Sequence, residues 1–326
     1  MAGLYVASDR PGAGRTALAS ALAAYLALDG VRVAYLKPGA SPSDADVEFI
    51  ARVVLKESDV ARGVPLEEAK AAYDGLATKA DIVLVESPDF AGGNSTAVNA
   101  SADLARSLGC QAILVVRHRQ GLGPDRVLEL ARLFEGNLAG VLINAVPRYR
   151  MEGLSTALAS RLEAAGVRLL GVLPEDRTLL APTVGQLAQS LAARWLLGED
   201  ASDRLVEHFL VGGFLVEWGG DYFGRVENKA VVTRGDKPDV QMAALHTPTR
   251  CLVLTSGVEP VQYIYQEAQH TGVPVLLTES DTLETMASLE KALAASSFHH
   301  PRKLERFCEL LERHANLGQL RSAALR

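Results

Sequence analysis

Residues 4–16, LYVASDRPGAGRT, constrain this chain more than any other stretch. Leu4, Tyr5, Val6 and Ala7 form a short apolar run that reads as a buried strand. Gly12 and Gly14 follow, then Arg15 and Thr16, then an alanine-rich stretch to about Leu28 that reads as a helix. Strand, glycine loop and helix in this order form the layout of a nucleotide phosphate loop. Glycines let backbone N–H groups come close to a phosphate, and the helix N-terminus adds partial positive charge. Thr16 stands where the loop hydroxyl reaches Mg²⁺. The lysine of G-K-[ST] is replaced by Arg15, a planar fork in place of a compact ammonium. Binding is expected to tolerate that exchange better than catalysis.

The rest of the first half repeats the strand-and-helix texture. Strands are predicted at 3–7, 31–36, 81–86, 111–116, 139–144 and 168–172, each a Val/Ile/Leu-rich run suited to burial on both faces. Helices are predicted between them, at 14–28, 44–56, 66–79, 96–108, 124–134 and 151–165. This alternation implies an α/β fold with a parallel sheet, in which ligands bind at the carboxyl ends of the strands. Residues 178–198 read as a linker turning into an amphipathic helix. A smaller α/β region follows, with strands expected at 208–212, 229–233, 251–255 and 273–277. Its helices are expected at 238–244, 259–270 and 282–293, and a charged amphipathic helix at 301–314 ends the pattern.

At 326 residues the chain has room for about two domains of ~150 residues. Its net charge of −6 argues against nucleic acid or an anionic membrane as the main partner. Cys110, Cys251 and Cys308 are odd in number and far apart, which excludes a disulfide framework or a zinc spacing and points to a reducing cytoplasm. No signal peptide or membrane-length apolar run is visible.

Longer words in the sequence carry a resemblance. They include YVASDRPGAGRTAL, VAYLKPGA, DADVEFI, VLVESPDF, LINAVP, GVLPEDRTLLAPTVGQLA, NKAVVTRGDKPDVQMAAL, CLVLTSGVEP and GVPVLLTESDTLET. The N-terminal half resembles dethiobiotin synthetase-like P-loop domains. The whole chain resembles the regulatory N-terminal part of long-form phosphate acetyltransferases, in which such a domain precedes a DRTGG domain. The resemblance implies a P-loop domain at 1–177, a linker helix at 178–202, a DRTGG-like domain at 203–295 and a helical tail at 296–326. Nothing within these residues resembles the acetyltransferase domain itself, so acetyl transfer is not expected of them. The loop Arg10-Pro11-Gly12-Ala13-Gly14-Arg15-Thr16 also resembles the K-G-G-x-G-K-T loop of partition and septum-site ATPases, with arginine at both lysine positions.

Site residues follow from these matches. Arg10, Gly12, Ala13, Gly14, Arg15 and Thr16 are expected at a nucleotide's phosphates, and Asn144, after VLIN, at its purine edge. Lys37 resembles the K-P lysine that lies by phosphates, although a solvated lysine at a strand end is equally open. Asp44, Asp46 and Glu86 resemble the acidic groups that, with Thr16, hold Mg²⁺; hard carboxylates suit that ion. Arg15 and Lys37 are the catalytic candidates. Glu86-Ser87-Pro88-Asp89-Phe90 departs from the E-G-A-G-G of the synthetases, with Gly92 and Gly93 later, so the synthetase reaction is in doubt. His299 and His300 read as a helix start. In the second region, Arg234, Gly235 and Asp236 form a second candidate site at a helix start, with a helix cap from Asp236 or Asp239 as the favoured alternative.

The expected function is a nucleotide-binding regulatory or adaptor protein using Mg²⁺ with ATP or another nucleotide. It would be cytoplasmic, form a homodimer through the DRTGG-like domain and act on a separate enzyme partner. Two alternatives stay open: an ATPase or ATP-dependent carboxylate ligase, and a scaffold that binds no nucleotide.

Overall fold

Seven parallel strands carry the first part of the chain among the residues described by the computed structural model, which are 2–90, 95–213 and 219–325. They are β1 (Ala2–Ser8), β2 (Val33–Leu36), β3 (Val60–Ala61), β4 (Ile82–Glu86), β5 (Gln111–Arg117), β6 (Leu138–Val146) and β7 (Leu169–Pro174). Their order is β3-β2-β4-β1-β5-β6-β7. The five residues of β4 are all buried, as are Leu4 to Ala7 of β1, because helices cover both faces. The chain fills one side of β1 before crossing to the other with β5. At such a reversal the loops leaving neighbouring strands part and open a crevice. The helix Arg15–Leu28 leaves the crevice from the end of β1.

Contacts divide the chain into two compact bodies, residues 1–176 with 298–326, and residues 177–297. In the first body the C-terminal segment closes on the sheet. Asn316 N–H donates to Leu170 O at 2.8 Å, and Tyr25 OH donates to Cys308 O at 3.0 Å. Gly171 sits here because a Cβ would stand 2.7 Å from His314 O and from Ala315 Cβ.

The second body has its own sheet, ordered β8-β12-β11-β10-β9. Its strands are β8 (Arg194–Leu197), β9 (His208–Val211), β10 (Lys229–Arg234), β11 (Thr249–Thr255) and β12 (Val275–Leu277). Four run parallel, and β8 is antiparallel to β12. Residues 194–197 fall where the sequence reads as an amphipathic helix. They are instead a sheet edge, and the helix is the shorter Val184–Ser190, started by a capping box between Thr183 and Gln186. Among the described residues no helix is long and apolar enough to cross a membrane.

Candidate functional site: the loop after the first strand

The glycine loop is held by its carbonyl groups. Asn144 Nδ2 donates to Ala13 O at 2.8 Å, Arg117 Nη1 to Gly12 O at 2.6 Å, and Leu18 N–H to Gly14 O at 3.0 Å. By contrast, among the described residues none of the N–H groups from Gly12 to Thr16 makes a normal hydrogen bond to a protein acceptor. A run of unpaired amide donors at a helix start is an anion cradle. Gly12 and Gly14 take φ values of +69° and +107°, a region that costs a residue with a Cβ. A Cβ on Gly14 would also stand 2.4 Å from Asn144 Nδ2. Thus Asn144, expected at a purine edge, is fastened to the loop itself, and its Oδ1 accepts from Ala145 N–H at 2.8 Å.

Thr16 points at a buried carboxylate. Its hydroxyl donates to Glu86 Oε1 at 2.8 Å, and Tyr35 OH donates to Oε2 at 2.8 Å. Glu86 ends β4 and is fully buried. Burial first, then the Asp46 carboxylate, pushes its pKa up to about 7, against the pull of Lys37, Arg15 and the Thr16 bond. Burial and the neighbouring Glu86 likewise hold the Tyr35 phenol well above its ordinary value, so it stays a donor.

Asp44 and Asp46 lie apart from that pair in chemistry. Lys37 Nζ donates to Asp44 Oδ2 at 3.1 Å and to Asp46. Asp44 also caps the helix Ala45–Phe49, accepting from Asp46 N–H and Val47 N–H. The second Asp46 oxygen meets His299 Nε2 at 2.6 Å. Burial opposes the charge on Asp46, but the His299 and Lys37 bonds outweigh it and hold the carboxyl well below the usual range. Burial likewise opposes charge on Lys37, and Glu86, Asp46 and Asp44 overcome it, so its pKa is raised. Lys37 is therefore no solvated strand-end lysine. Among the described residues no three His, Cys, Asp or Glu side chains gather into a metal cage. The Thr16 hydroxyl and the Glu86 carboxylate are adjacent hard oxygens at the helix end of the loop, the donor chemistry that Mg²⁺ takes. Asp44 and Asp46 already share an ammonium ion.

The two loop arginines turn to other partners. Arg10 Nε donates to Asp9 Oδ2 at 2.8 Å, while Asp9 Oδ1 accepts from Arg117 N–H at 3.0 Å. Arg15 Nη1 donates to Pro88 O at 3.0 Å, and Nη2 pairs with Asp89. Sequence reasoning leaves out Asp9, Tyr35, Asp89 and the loop-fastening role of Arg117. His299, read with His300 as a helix start, instead meets Asp46 from the far end of the chain, a partnership with no local signal. His300 does start a helix, accepting from Arg302 N–H at 3.1 Å. Gly92 and Gly93 lie outside the described residues.

In the second body, Arg234 and Asp236 pair with each other through two bonds of 3.1 and 2.7 Å. The helix Pro238–Leu245 has Lys237 at its N-cap and no side-chain cap bond, so neither Asp236 nor Asp239 caps it. Gly235 lies against the Val258 carbonyl of the next strand-end turn within the same chain.

Comparison with known proteins agrees with this architecture. Residues 2–183 match a family model described as an AAA domain, and residues 186–292 match the DRTGG domain. The phosphate acetyltransferase of Nitratidesulfovibrio vulgaris is 27% identical, the match covering 77% of this chain and 38% of that protein. That of Deinococcus radiodurans is 28% identical, covering 94% of this chain and 49% of that protein. The chain thus spans about half or less of the length of these two curated relatives. Among solved structures, the MinD cell division protein of Aquifex aeolicus is 19% identical over 55% of this chain and 85% of that one, with a TM-score of 0.39. The chain belongs to the AAA domain family through residues 2–183, carries a DRTGG domain after it, and as a pair of domains resembles the N-terminal regulatory region of long-form phosphate acetyltransferases.

Proposed function

We propose that the chain is a nucleotide-responsive regulatory module, with a nucleotide's phosphates held on the Gly12–Thr16 loop. The observation that carries this reading is the division of labour in that loop: its carbonyls are tied down and its N–H groups are unpaired. A phosphate chain supplies the acceptors those donors lack. Mg²⁺, held by Thr16 and Glu86, would neutralise part of the phosphate charge. Binding is favoured over turnover because the guanidinium at the loop's lysine position is engaged by Pro88 and Asp89. The regulatory role, a homodimer and a separate enzyme partner are parts of the same proposal, supported by the resemblance to the acetyltransferase regulatory region.

The test is the melting temperature with and without Mg²⁺-ATP, Mg²⁺-ADP and Mg²⁺-GTP. Ligand at one hundred times its Kd adds about 2.7 kcal/mol, a rise of a few degrees. A Mg²⁺-dependent rise supports the reading, and a flat response to all three removes it. Asn144→Ala refines the test. The change removes two half-buried hydrogen bonds, to Ala13 O and from Ala145 N–H, at about 1 kcal/mol each, and a loosened loop is expected to weaken nucleotide affinity about tenfold. Titration calorimetry on the folded variant measures it, and unchanged affinity would show that the loop needs no fastening from Asn144.

A further inference from the structure

The C-terminal segment of the first body reaches the carboxylate that Lys37 shares. In the chain, residue 298 follows directly on the last residue of the second body. The next residue, His299, places Nε2 2.6 Å from Asp46 Oδ1. Asp46 is held well below the usual carboxyl range, so it is ionised and can only accept, and His299 Nε2 carries the proton. Aromatic packing fixes this placement. Phe298 meets Phe49 edge-on at 5.8 Å and Phe307 at 6.0 Å, and the His299 ring tilts against Phe49 at 5.7 Å. Phe49 ends the short helix that Asp44 caps. Further along the segment, Arg306 holds buried Asp176 through two bonds of 3.0 and 2.8 Å, and Arg321 pairs with Asp29 at 2.8 Å.

Two side-chain donors thus share one carboxylate. Asp46 Oδ2 takes Lys37 Nζ, and Oδ1 takes His299. The Lys37 side chain is 5% exposed and that of Asp46 22%. Lys37 also feels Glu86, whose carboxylate is bonded to Thr16 at the end of the glycine loop. Its ammonium is therefore within electrostatic reach of the amide cradle, while Arg15 of the loop is engaged by Pro88 and Asp89. A phosphate arriving on the loop draws Lys37 toward it. Asp44 would keep two backbone N–H donors as a helix cap, so Asp46 is the carboxylate that Lys37 would leave bare. Breaking a buried pair costs most when nothing replaces the lost partner.

We propose that His299 is a positioning residue of the nucleotide site: it holds Asp46 while Lys37 turns to the phosphates, and bound nucleotide in turn tightens residues 298–314 onto the first body. The inference rests on the reading of the Gly12–Thr16 loop as a phosphate site. The coupling is reciprocal, because a contact that a ligand strengthens must strengthen that ligand's binding by the same factor. The segment bearing His299 begins where the residues of the second body end, so the ligand's effect falls on the chain next to that junction.

The experiment titrates Mg²⁺-ATP, Mg²⁺-ADP and Mg²⁺-GTP by calorimetry into the full chain, His299→Phe, Asp46→Asn and the double variant. Hydrogen exchange of residues 298–314 is followed with and without each nucleotide. Phenylalanine keeps a ring against Phe49 and removes the donor. Affinity is expected to fall about tenfold in His299→Phe, but not between Asp46→Asn and the double variant, where no carboxylate is left to hold. Exchange over 298–314 is expected to slow with nucleotide in the full chain and not in His299→Phe. Parent affinity in His299→Phe, or an equal loss in the Asp46→Asn background, overturns the proposal and leaves the nucleotide reading standing. A full chain that binds none of the three nucleotides removes that reading and this inference together. If His299→Phe does not fold, or Asp46→Asn does not bind, exchange in the full chain decides: slowing supports the coupling, and no change overturns it.

Discussion

Gly235→Ala is expected to cost the second body about 3 kcal/mol or more, the upper end of what overpacking does. A Cβ at this position would stand 1.6 Å from Val258 O and 2.4 Å from the carbonyl carbon. Relief requires one main chain to move by more than an ångström, and both are anchored. On one side Gln241 Nε2 donates to Arg234 O at 2.8 Å and to Gly235 O at 3.0 Å. On the other, Ser256 and Gly257 take φ values of +66° and +64°. Their N–H groups donate to Ser280 O at 2.8 Å and Thr278 O at 3.0 Å. Trp195 lies on β8 of the second body and no tryptophan falls within residues 1–176 or 298–326, so tryptophan fluorescence during urea unfolding does not report the first body and follows the second through Trp195. The midpoint should fall sharply, while any nucleotide-induced shift of the first body is kept. A midpoint within about 0.5 kcal/mol of the parent, the usual range for neutral surface changes, would mean the two turns are free to part.

Much of this fold is legible in the sequence because its signals are local. Ile82 to Val85 are apolar and mostly β-branched without alternation, which suits a strand covered on both faces, and β4 is such a strand. Pro301 and the spacing of Leu304, Phe307, Leu310 and Leu311 define the helix Pro301–His314, with those four side chains buried. The edge strand Arg194–Leu197 is misread because Trp195, Leu196 and Leu197 suit a helix equally. Only pairing with β12, some eighty residues later, selects the strand. The two-residue β3 is too short to show any period.

The site is legible in part, for the same reason. Gly12, Gly14 and Thr16 announce the loop through backbone and helix-start chemistry. What the arginines do there depends on partners remote in sequence. Arg15 meets Asp89, and Asp46 meets His299, across 74 and 253 residues. Glu86 is flagged as an acid closing a buried strand, but its protonation follows from burial and from Asp46, which no spacing displays.

Glu86→Gln is expected to remove a pH dependence of stability that the parent carries between about pH 4.5 and 7. The ordinary value of 4.5 applies to the unfolded chain, and the folded value is about 7. Below pH 4.5 the carboxyl is protonated in both states and adds no difference. Between the two values the folded state holds a proton that the unfolded state has lost, so stability falls as pH rises, and it levels off above 7. At about 1.4 kcal/mol per unit the full drop is roughly 3 kcal/mol. Histidines with lowered values, His118, His208 and His314, act in the opposite sense over the same window, so the difference between parent and variant isolates Glu86. Glutamine keeps the shape and can still meet Thr16 and Tyr35, so at pH 8 the variant should be more stable by up to that 3 kcal/mol, less about 1 kcal/mol for the altered hydrogen bonds. The same change removes the anionic oxygen next to Thr16 and is expected to abolish the Mg²⁺-dependent part of a nucleotide-induced melting shift. Urea unfolding from pH 4.5 to 8 measures the first effect, and thermal melts with and without Mg²⁺ the second. A difference curve flat with pH would mean that Glu86 is ionised throughout. A gain in stability with the Mg²⁺ response intact would move the cation away from Thr16 and Glu86. A gain in stability with the response lost is the outcome expected of a strained carboxylate kept for a ligand that arrives with positive charge.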